Sequence, residues 1–180
     1  MPDSEALNPE WDRVLPATAR LQQSFPDAVL VGGTVAALHL NHRFSHDADH
    51  ILTDLVQRFE AVLNQPEAVA GRNTSRVQRP VLILGSLDCI ETGVRQLRRT
   101  EPLETVTTVH KGARIAIPTH AEILRIKAWL ILQRNATRDY IDFVALAAQM
   151  RLDAMTRALA NFDSLYPQDS GESVIQQLQA

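Results

Sequence analysis

The pattern of hydrophobic and polar positions divides this chain into a mixed region of helices and strands, followed by helices alone. Short apolar or alternating runs between turn residues predict strands, and apolar residues three and four apart predict helices. The predicted helices of the first region cover residues 9–25, 34–43 and 54–64. Its predicted strands cover residues 27–31, 47–52, 81–84, 93–97, 103–109 and 113–117. Further helices are predicted over residues 119–133, 137–150, 153–162 and 173–179.

This order of elements predicts an α+β fold. Residues 1–117 would form a core with a mixed sheet and flanking helices. Residues 118–180 would form a C-terminal helical part packed on that core.

A double glycine lies between the first predicted strand and the helix after it. Gly32 and Gly33 allow the backbone to approach a phosphate, and the free N–H groups at the start of the next helix attract an anion. Thr34 is an N-cap candidate for that helix. A tight turn selected only for packing would have the same sequence, so the glycines alone do not establish a phosphate site.

Two aspartates stand one residue apart at the next predicted strand. Residues i and i+2 of a strand project from one face, roughly 6.5–7 Å apart, so Asp47 and Asp49 would lie side by side. Their repulsion is about 2 kcal/mol at an effective dielectric of about 20, and a divalent cation between them would reverse it. Mg²⁺ commonly takes one or two carboxylates and completes its shell with water and substrate phosphates. The alternative is a solvated pair at a strand edge.

A lysine stands on the apolar side of the helix predicted over residues 119–133. The positions three and four residues from Lys127 are all apolar: Ile123, Leu124, Leu130 and Ile131. A buried, unpaired ammonium is costly, so Lys127 must be paired, reach solvent or line a cleft. Asp139 lies in the first turn of the next predicted helix, where two antiparallel helices would bring the two side chains together.

Composition narrows the class of protein. The 180 residues are 45% hydrophobic, which is enough for one domain with a real core. The formal net charge of -3 gives no overall basic field, so we expect no DNA partner. One cysteine, Cys89, excludes a disulfide framework within the chain and favours a reducing compartment. No run reaches the roughly 18 apolar residues of a membrane span, so we expect a cytoplasmic protein without a membrane partner.

Taken in order, these motifs resemble a known family. The segment LVGGTVAALHLNHRFSHDADHI, followed by EILRIKAWLILQRNATRDYIDFVAL, resembles the nucleotidyltransferase-fold toxins of the AbiEii type, within the superfamily that includes DNA polymerase beta. The shared pattern is a G-G-T/S turn, a helix ending in H-R, an S-x-D-x-D strand, and a helical lysine followed by R-D-x-x-D. The matching positions are Gly32, Gly33, Thr34, His42, Arg43, Ser45, Asp47, Asp49, Lys127, Arg138, Asp139 and Asp142.

The resemblance implies a nucleotidyltransferase-like fold and a metal-dependent reaction. A nucleoside monophosphate would pass from an NTP to an acceptor, which in relatives can be tRNA or a protein, with Mg²⁺ or Mn²⁺ as the cofactor. The implied catalytic residues are Asp47, Asp49, Lys127 and Asp139, of which the first two hold the metal. The implied triphosphate-binding residues are Gly32, Gly33, Thr34, Arg43 and Ser45, and Lys127 shares with Arg43 the neutralisation of phosphate charge. The family also implies a toxin with a cognate antitoxin.

One departure from the family pattern leaves two readings open. Active relatives usually carry a third acidic residue on a later central strand. Here that position falls near Gln96, which cannot ionise, and Asp88 and Glu91 are predicted to lie in the turn before the strand. An earlier start of the strand would make Glu91 the third acid. Glu91 beside the aspartates favours an active enzyme, and Gln96 alone favours a catalytically degenerate protein that binds nucleotide or a protein partner.

A second alternative belongs to another class, the histidine metalloproteins. His39, His42, His46 and His50 lie close together in the sequence, with the two aspartates among them. Sets of His and Asp bind zinc, so this segment also suggests a zinc site.

Overall fold

The computed structural model describes residues 11–65, 71–167 and 176. The strands are β1 Val29–Leu30, β2 Ala48–Leu52, β3 Arg72–Gln78, β4 Leu82–Leu87, β5 Ile90–Gln96, β6 Thr105–His110 and β7 Ala113–Pro118. The helices are α1 Trp11–Ser24, α2 Gly33–Leu40, α3 Leu55–Leu63, α4 His120–Arg134, α5 Thr137–Ala148, α6 Leu152–Leu159 and α7 Phe162–Leu165. Across these described stretches, no helix combines the length and the apolar character needed to cross a membrane.

Five strands form a mixed sheet in the order β1-β2-β5-β4-β3. Strands β2 and β5 run parallel, and the other neighbours run antiparallel. The β4–β5 hairpin turns on two residues with positive φ, Asp88 at 52° and Cys89 at 64°, as in a type I′ turn. Strands β6 and β7 form a separate hairpin. The predicted α+β fold with a mixed sheet is confirmed.

The core explains why the sheet presents only one open face near its centre. Along β2, Ala48, His50 and Leu52 are buried, whereas Asp49 and Ile51 are partly exposed, as strand alternation requires. The buried face belongs to a single hydrophobic cluster that also contains Leu124 of α4 and Leu146 of α5. Helix α4 is fixed at its start by the Thr119 hydroxyl, which accepts a hydrogen bond from the Glu122 N–H at 3.1 Å.

The structure differs from the predicted elements at several places. Strand β2 begins at Ala48, so Asp47 lies just before it, and α2 ends at Leu40, not at residue 43. Strand β3 was not predicted. Strand β1 has only two residues, Val29 and Leu30. Strand β5 begins at Ile90, three residues before the predicted start at residue 93, so the prediction that Glu91 lies in the turn is wrong. The helix predicted over residues 173–179 lies outside the described residues, apart from Gln176. The division into two parts near residue 117 stays a prediction.

Candidate active site

On the open face of the sheet, the side chains of three adjacent strands change from polar at one end to largely apolar at the other. The register places Asp49 of β2 beside Gly93 of β5, and Gly93 beside Leu84 of β4. Two residues along in one direction, Arg95 lies between Ile51 and Leu82. Two residues along in the other direction, Glu91 pairs with Ser86, and Asp47 lies just before β2 at that end. One end of this face is therefore polar and the other largely apolar.

The double glycine turn lies directly against this face. Gly32 has φ 83° and ψ -155°, a conformation that side-chain-bearing residues rarely adopt. A Cβ atom on Gly32 would lie 3.8 Å from the Cβ of Asp49. The Val31 N–H donates to the Asp49 carbonyl at 2.8 Å. Thr34 is not the N-cap of α2, which is Gly32. Its buried hydroxyl donates to the Asp47 carbonyl, so it joins the start of α2 to the residue just before β2.

A central cavity of about 250 Å³ brings most of the predicted site residues together. Its backbone and acidic wall contains Gly32, Gly33, Ser45, Asp47 and Asp49. Its cationic wall contains Arg43, Arg95, Lys127, Arg134 and Arg138. Five cationic side chains line the cavity beside the N-terminus of a helix, and three of them also pair with buried carboxylates of α5. This arrangement is suited to a polyanion.

The family of this chain is shown by a sequence model that matches most of its length. The sequence model described as "Nucleotidyl transferase AbiEii toxin, Type IV TA system" matches residues 13–176. The chain belongs to the AbiEii family. The predicted family membership is therefore confirmed, and with it the nucleotidyltransferase superfamily.

Solved structures with the nucleotidyltransferase fold are similar to this AbiEii chain. The solution structure of the antibiotic-resistance factor ANT(2'')-Ia superposes with a TM-score of 0.61 and 11% identity, covering 87% of this chain and 94% of that one. A nucleotidyltransferase-like protein from Paracoccidioides brasiliensis gives 0.55 and 16%, covering 87% and 89%. At such low identities the likeness shows the fold alone.

Curated relatives match a shorter part of the AbiEii chain. The heme uptake protein MmpL11 of Mycobacterium tuberculosis is 41% identical over 70 residues, which is 38% of this chain and 7% of that protein. The mycolic acid-containing lipids exporter MmpL11 of Mycolicibacterium smegmatis is 36% identical over 77 residues, which is 8% of its length. The chain thus spans less than a tenth of these relatives.

Lys127 of the AbiEii chain lies within a network of buried ion pairs. Its side chain is 1% exposed, and its Nζ lies 3.0 Å from Asp139 Oδ1 and 2.8 Å from Asp142 Oδ2. Arg134 binds Asp139 through Nε at 2.6 Å and Nη2 at 2.9 Å. Arg43 binds Asp142 through Nε at 2.7 Å and Nη2 at 2.8 Å. Both guanidinium groups form the strong bidentate contact with a carboxylate.

The same network keeps both carboxylates ionised. Burial acts to raise the pKa of Asp142, but hydrogen bonds from Arg43, Lys127 and His42 and the charge of Lys127 outweigh it and lower that pKa. Burial likewise acts to raise the pKa of Asp139, and the contacts with Arg134 and Lys127 lower it. Of the two residues expected to neutralise phosphate, Lys127 and Arg43, each already has a carboxylate partner.

Glu91, the alternative third acid of the sequence analysis, lies on β5 and not in the turn before it. Glu91 lines an open cavity of about 500 Å³ together with Asp47, Asp49 and Arg138. Gln96 does not take this place: its side-chain amide donates to the Thr53 carbonyl at 2.7 Å and accepts from the Val56 N–H at 2.9 Å, at the start of α3.

The residue directly beside Asp49 on β5 is Gly93, which has no side chain. A Cβ atom on Gly93 would overlap Asp49 Oδ1. The nearest position on the same face of β5 that can supply a carboxylate towards Asp47 is therefore Glu91. This arrangement favours the active-enzyme reading over the degenerate one.

The carboxylates of Asp47 and Asp49 suit a cation that takes few protein ligands. Over the described ranges 11–65 and 71–167, no three His, Cys, Asp or Glu side chains form a metal-binding group, so the structure gives the alternative histidine zinc site no support. His39 contacts the Pro118 carbonyl at 2.9 Å, and His42 contacts Asp142 at 2.9 Å. Two carboxylates in a cavity large enough for phosphates still fit Mg²⁺ or Mn²⁺, because substrate oxygens and water complete the shell of such an ion.

Proposed function

We propose that this AbiEii chain transfers a nucleoside monophosphate from an NTP to an RNA or protein acceptor, with Mg²⁺ or Mn²⁺ as the cofactor. The observation that carries the proposal is one shared cavity. Asp47 and Asp49 line it together with the Gly32–Gly33 turn and five cationic side chains.

Asp47 and Asp49 would hold the metal ion. Bound there, the ion would neutralise triphosphate charge and orient the phosphates for displacement. The N–H groups at the start of α2 and the hydroxyl of Ser45 would bind the phosphates that leave as pyrophosphate. Arg95 and Arg138 are exposed and line the cavity. They are the cations best placed to stabilise the negative charge that develops on the phosphates during transfer.

Lys127 and Asp139 would act by organising this site. Lys127 bridges two buried carboxylates that orient Arg43 and Arg134 along one wall of the cavity. A phosphate that enters would meet guanidinium groups already held in position, and such preorganisation is the main contribution a protein makes to this class of chemistry.

Glu91 would serve as the general base. The acceptor hydroxyl oxygen forms a bond to the α-phosphorus, the bond from that phosphorus to the bridging oxygen of pyrophosphate breaks, and the hydroxyl proton passes to Glu91. The position of Glu91 beside Asp47, on the polar end of the sheet face, supports this role. A positioned base of this kind contributes roughly a hundredfold or more to a rate.

Membership of a type IV toxin–antitoxin family supports a biological role as a toxin with a cognate antitoxin. Expression of the wild-type chain would then arrest growth, and expression of Asp49→Asn would not.

The decisive test of transfer is a labelling experiment. Wild-type protein, each of the four NTPs labelled at the α-phosphate, Mg²⁺ and a cell extract are incubated, and RNA and protein are separated and counted. We expect label in one of the two fractions with wild type and none with Asp49→Asn. Absence of label with all four NTPs would support the non-catalytic reading instead.

A further inference from the structure

Strand β6 has one edge that no other strand in the described part of the chain covers. It pairs only with β7, in the two-stranded sheet. The side chains of residues 105–109 are exposed or half-buried, and Val106 and Val109 are 45% and 62% exposed. An edge of this kind presents unpaired N–H and C=O groups, so it can pair with a strand from another chain.

The contacts of β7 show which backbone groups of β6 point towards the open edge. On the far side of β7, the Gln22 amide accepts from the Ala116 N–H at 2.8 Å and donates to the Ala116 carbonyl at 3.0 Å. In an antiparallel pair, two opposite residues either exchange both hydrogen bonds or both turn away from each other. Ala116 is opposite Thr107, so the N–H and C=O of Thr107 point away from β7. The same alternation turns Thr105 and Val109 outward.

The open edge of β6 lacks the features with which proteins usually prevent edge pairing. Such features are charged side chains, proline, bulges and very short strands. Strand β3, an edge of the five-stranded sheet, has two arginines, Arg72 and Arg76, and a register shift just before Arg76. Residues 105–109 of β6 read TVTTV, and these β-branched residues favour strands. The edge of β6 is therefore suited to pairing, whereas the edge of β3 is not.

From these observations we propose that β6 pairs antiparallel with β6 of a second copy of this chain, around a two-fold axis at Thr107. A two-fold interface uses the same surface on both copies, so each strand must be complementary to itself. In this register Thr107 lies opposite Thr107 of the second copy, and Thr105 lies opposite Val109 of the second copy. All the outward-facing residues of one strand are then paired with those of the other.

The charges at the two ends of β6 favour a second copy as the partner. Glu104 directly precedes the strand and Lys111 directly follows it, with side chains that are 57% and 64% exposed. In the antiparallel register, Glu104 of each copy lies near Lys111 of the other. Opposite charges across paired strands stabilise the pairing. Both side chains also have a partner within their own chain, Arg125 for Glu104 and Asp12 for Lys111.

Pairing at this edge leaves the candidate active site open. None of residues 105–109 lines the central cavity or the open cavity that contains Glu91. Each copy in the dimer would therefore keep its own site, and the inference does not depend on the proposed function. Because an interface built mainly on one short strand is small, we expect a weak dimer, with a Kd of about 1–100 μM.

The test measures the mass of the full chain by sedimentation and small-angle X-ray scattering, from about 1 μM to about 1 mM. We expect the mass to rise from that of one chain to that of two. Hydrogen exchange at the Thr105, Thr107 and Val109 amides should slow over the same range, because their N–H groups become hydrogen-bonded in the dimer.

Two substitutions at the axis, Thr107→Lys and Thr107→Glu, test the register. Each variant places like charges opposite each other, so we expect each alone to dimerise roughly tenfold or more weakly than wild type. An equal mixture of the two should dimerise again, because lysine then lies opposite glutamate. Thr107 is exposed, so both variants should keep the melting temperature of wild type. The matched control, Thr156→Lys at an exposed position on α6, should dimerise as wild type does.

Three results would overturn the inference. A wild type that stays a single chain up to about 1 mM would show that the edge does not pair with itself. Dimerisation that is unchanged in each of the two Thr107 variants alone would assign the interface to another surface. A mixture that dimerises no better than either variant alone would refute the antiparallel register at Thr107.

Discussion

Lys127→Met is the substitution that best separates the two roles open to this lysine. Methionine keeps most of the length and the apolar stem but removes the ammonium. In the structure that ammonium lies between Asp139 and Asp142, both of which are 0% exposed. The family resemblance implies a direct contact with phosphate. The geometry instead supports a buried structural bridge that acts on the cavity through Arg43 and Arg134.

The expected loss of stability follows from the partners that remain. Removing one partner of a buried ion pair destabilises a protein by about 3–5 kcal/mol, because a charge is left buried without compensation. After Lys127→Met, Asp139 still binds Arg134 and Asp142 still binds Arg43. We therefore expect the lower end of the range, about 3 kcal/mol, which lowers the melting temperature of a chain of this size by about 6–12 °C.

The assay is chemical and thermal unfolding of wild type and variant, followed by NTP titration below the melting temperature. The chain has only one other lysine, Lys111, whose side chain is 64% exposed. Lys111→Met is thus the matched control and should change little, as expected for surface ion pairs. Unchanged stability of Lys127→Met together with lost NTP binding would refute the structural account and restore the lysine as a phosphate ligand.

Three further predictions follow from the geometry of the sheet. Gly93→Ala should weaken Mg²⁺-dependent NTP binding by roughly tenfold or more in calorimetry, because the new methyl group would displace the Asp49 carboxylate; unchanged affinity would contradict the close approach. Glu91→Gln should lower the rate of label transfer by roughly a hundredfold and leave NTP affinity unaltered, and an equal loss of both would assign Glu91 to binding. Burial lowers the pKa of His50 from 6.5 to about 4. Between these two pH values, the unfolded chain therefore binds a proton at His50 and the folded chain does not. Stability should therefore fall by up to about 3 kcal/mol as the pH falls through that window, and urea unfolding of His50→Gln should show a weaker pH dependence.

The sequence predicted the elements that have strong local signals. Strand β2 and helices α2, α4 and α5 follow from apolar periodicity and from the glycine turn. Strand β3, RNTSRVQ, is an edge strand with mostly exposed side chains, so it has no apolar face to indicate it. The β4–β5 turn contains Asp88 and Cys89 without a glycine, and nothing in that sequence shows that the turn is only two residues long. For that reason Glu91 was assigned to the turn.

The sequence predicted which residues lie together in the cavity better than it predicted the contacts that those residues make. Strand alternation and the order of motifs brought Asp47, Asp49 and the two glycines together. The pairing of Arg43 with Asp142 joins residues 99 positions apart, which no local pattern can indicate.

In the proposed function, Asp47 and Asp49 bind the cation that holds an NTP in the central cavity. The most direct measurement is calorimetric titration of the four NTPs, with Mg²⁺ and with a chelator, into wild type, Asp49→Asn and the control Asp153→Asn, which alters a half-exposed carboxylate on α6. We expect NTP to bind wild type and control only with Mg²⁺, and Asp49→Asn to bind it roughly tenfold or more weakly at an unchanged melting temperature. Equal affinity of Asp49→Asn and wild type, or binding that persists in the chelator, would contradict it.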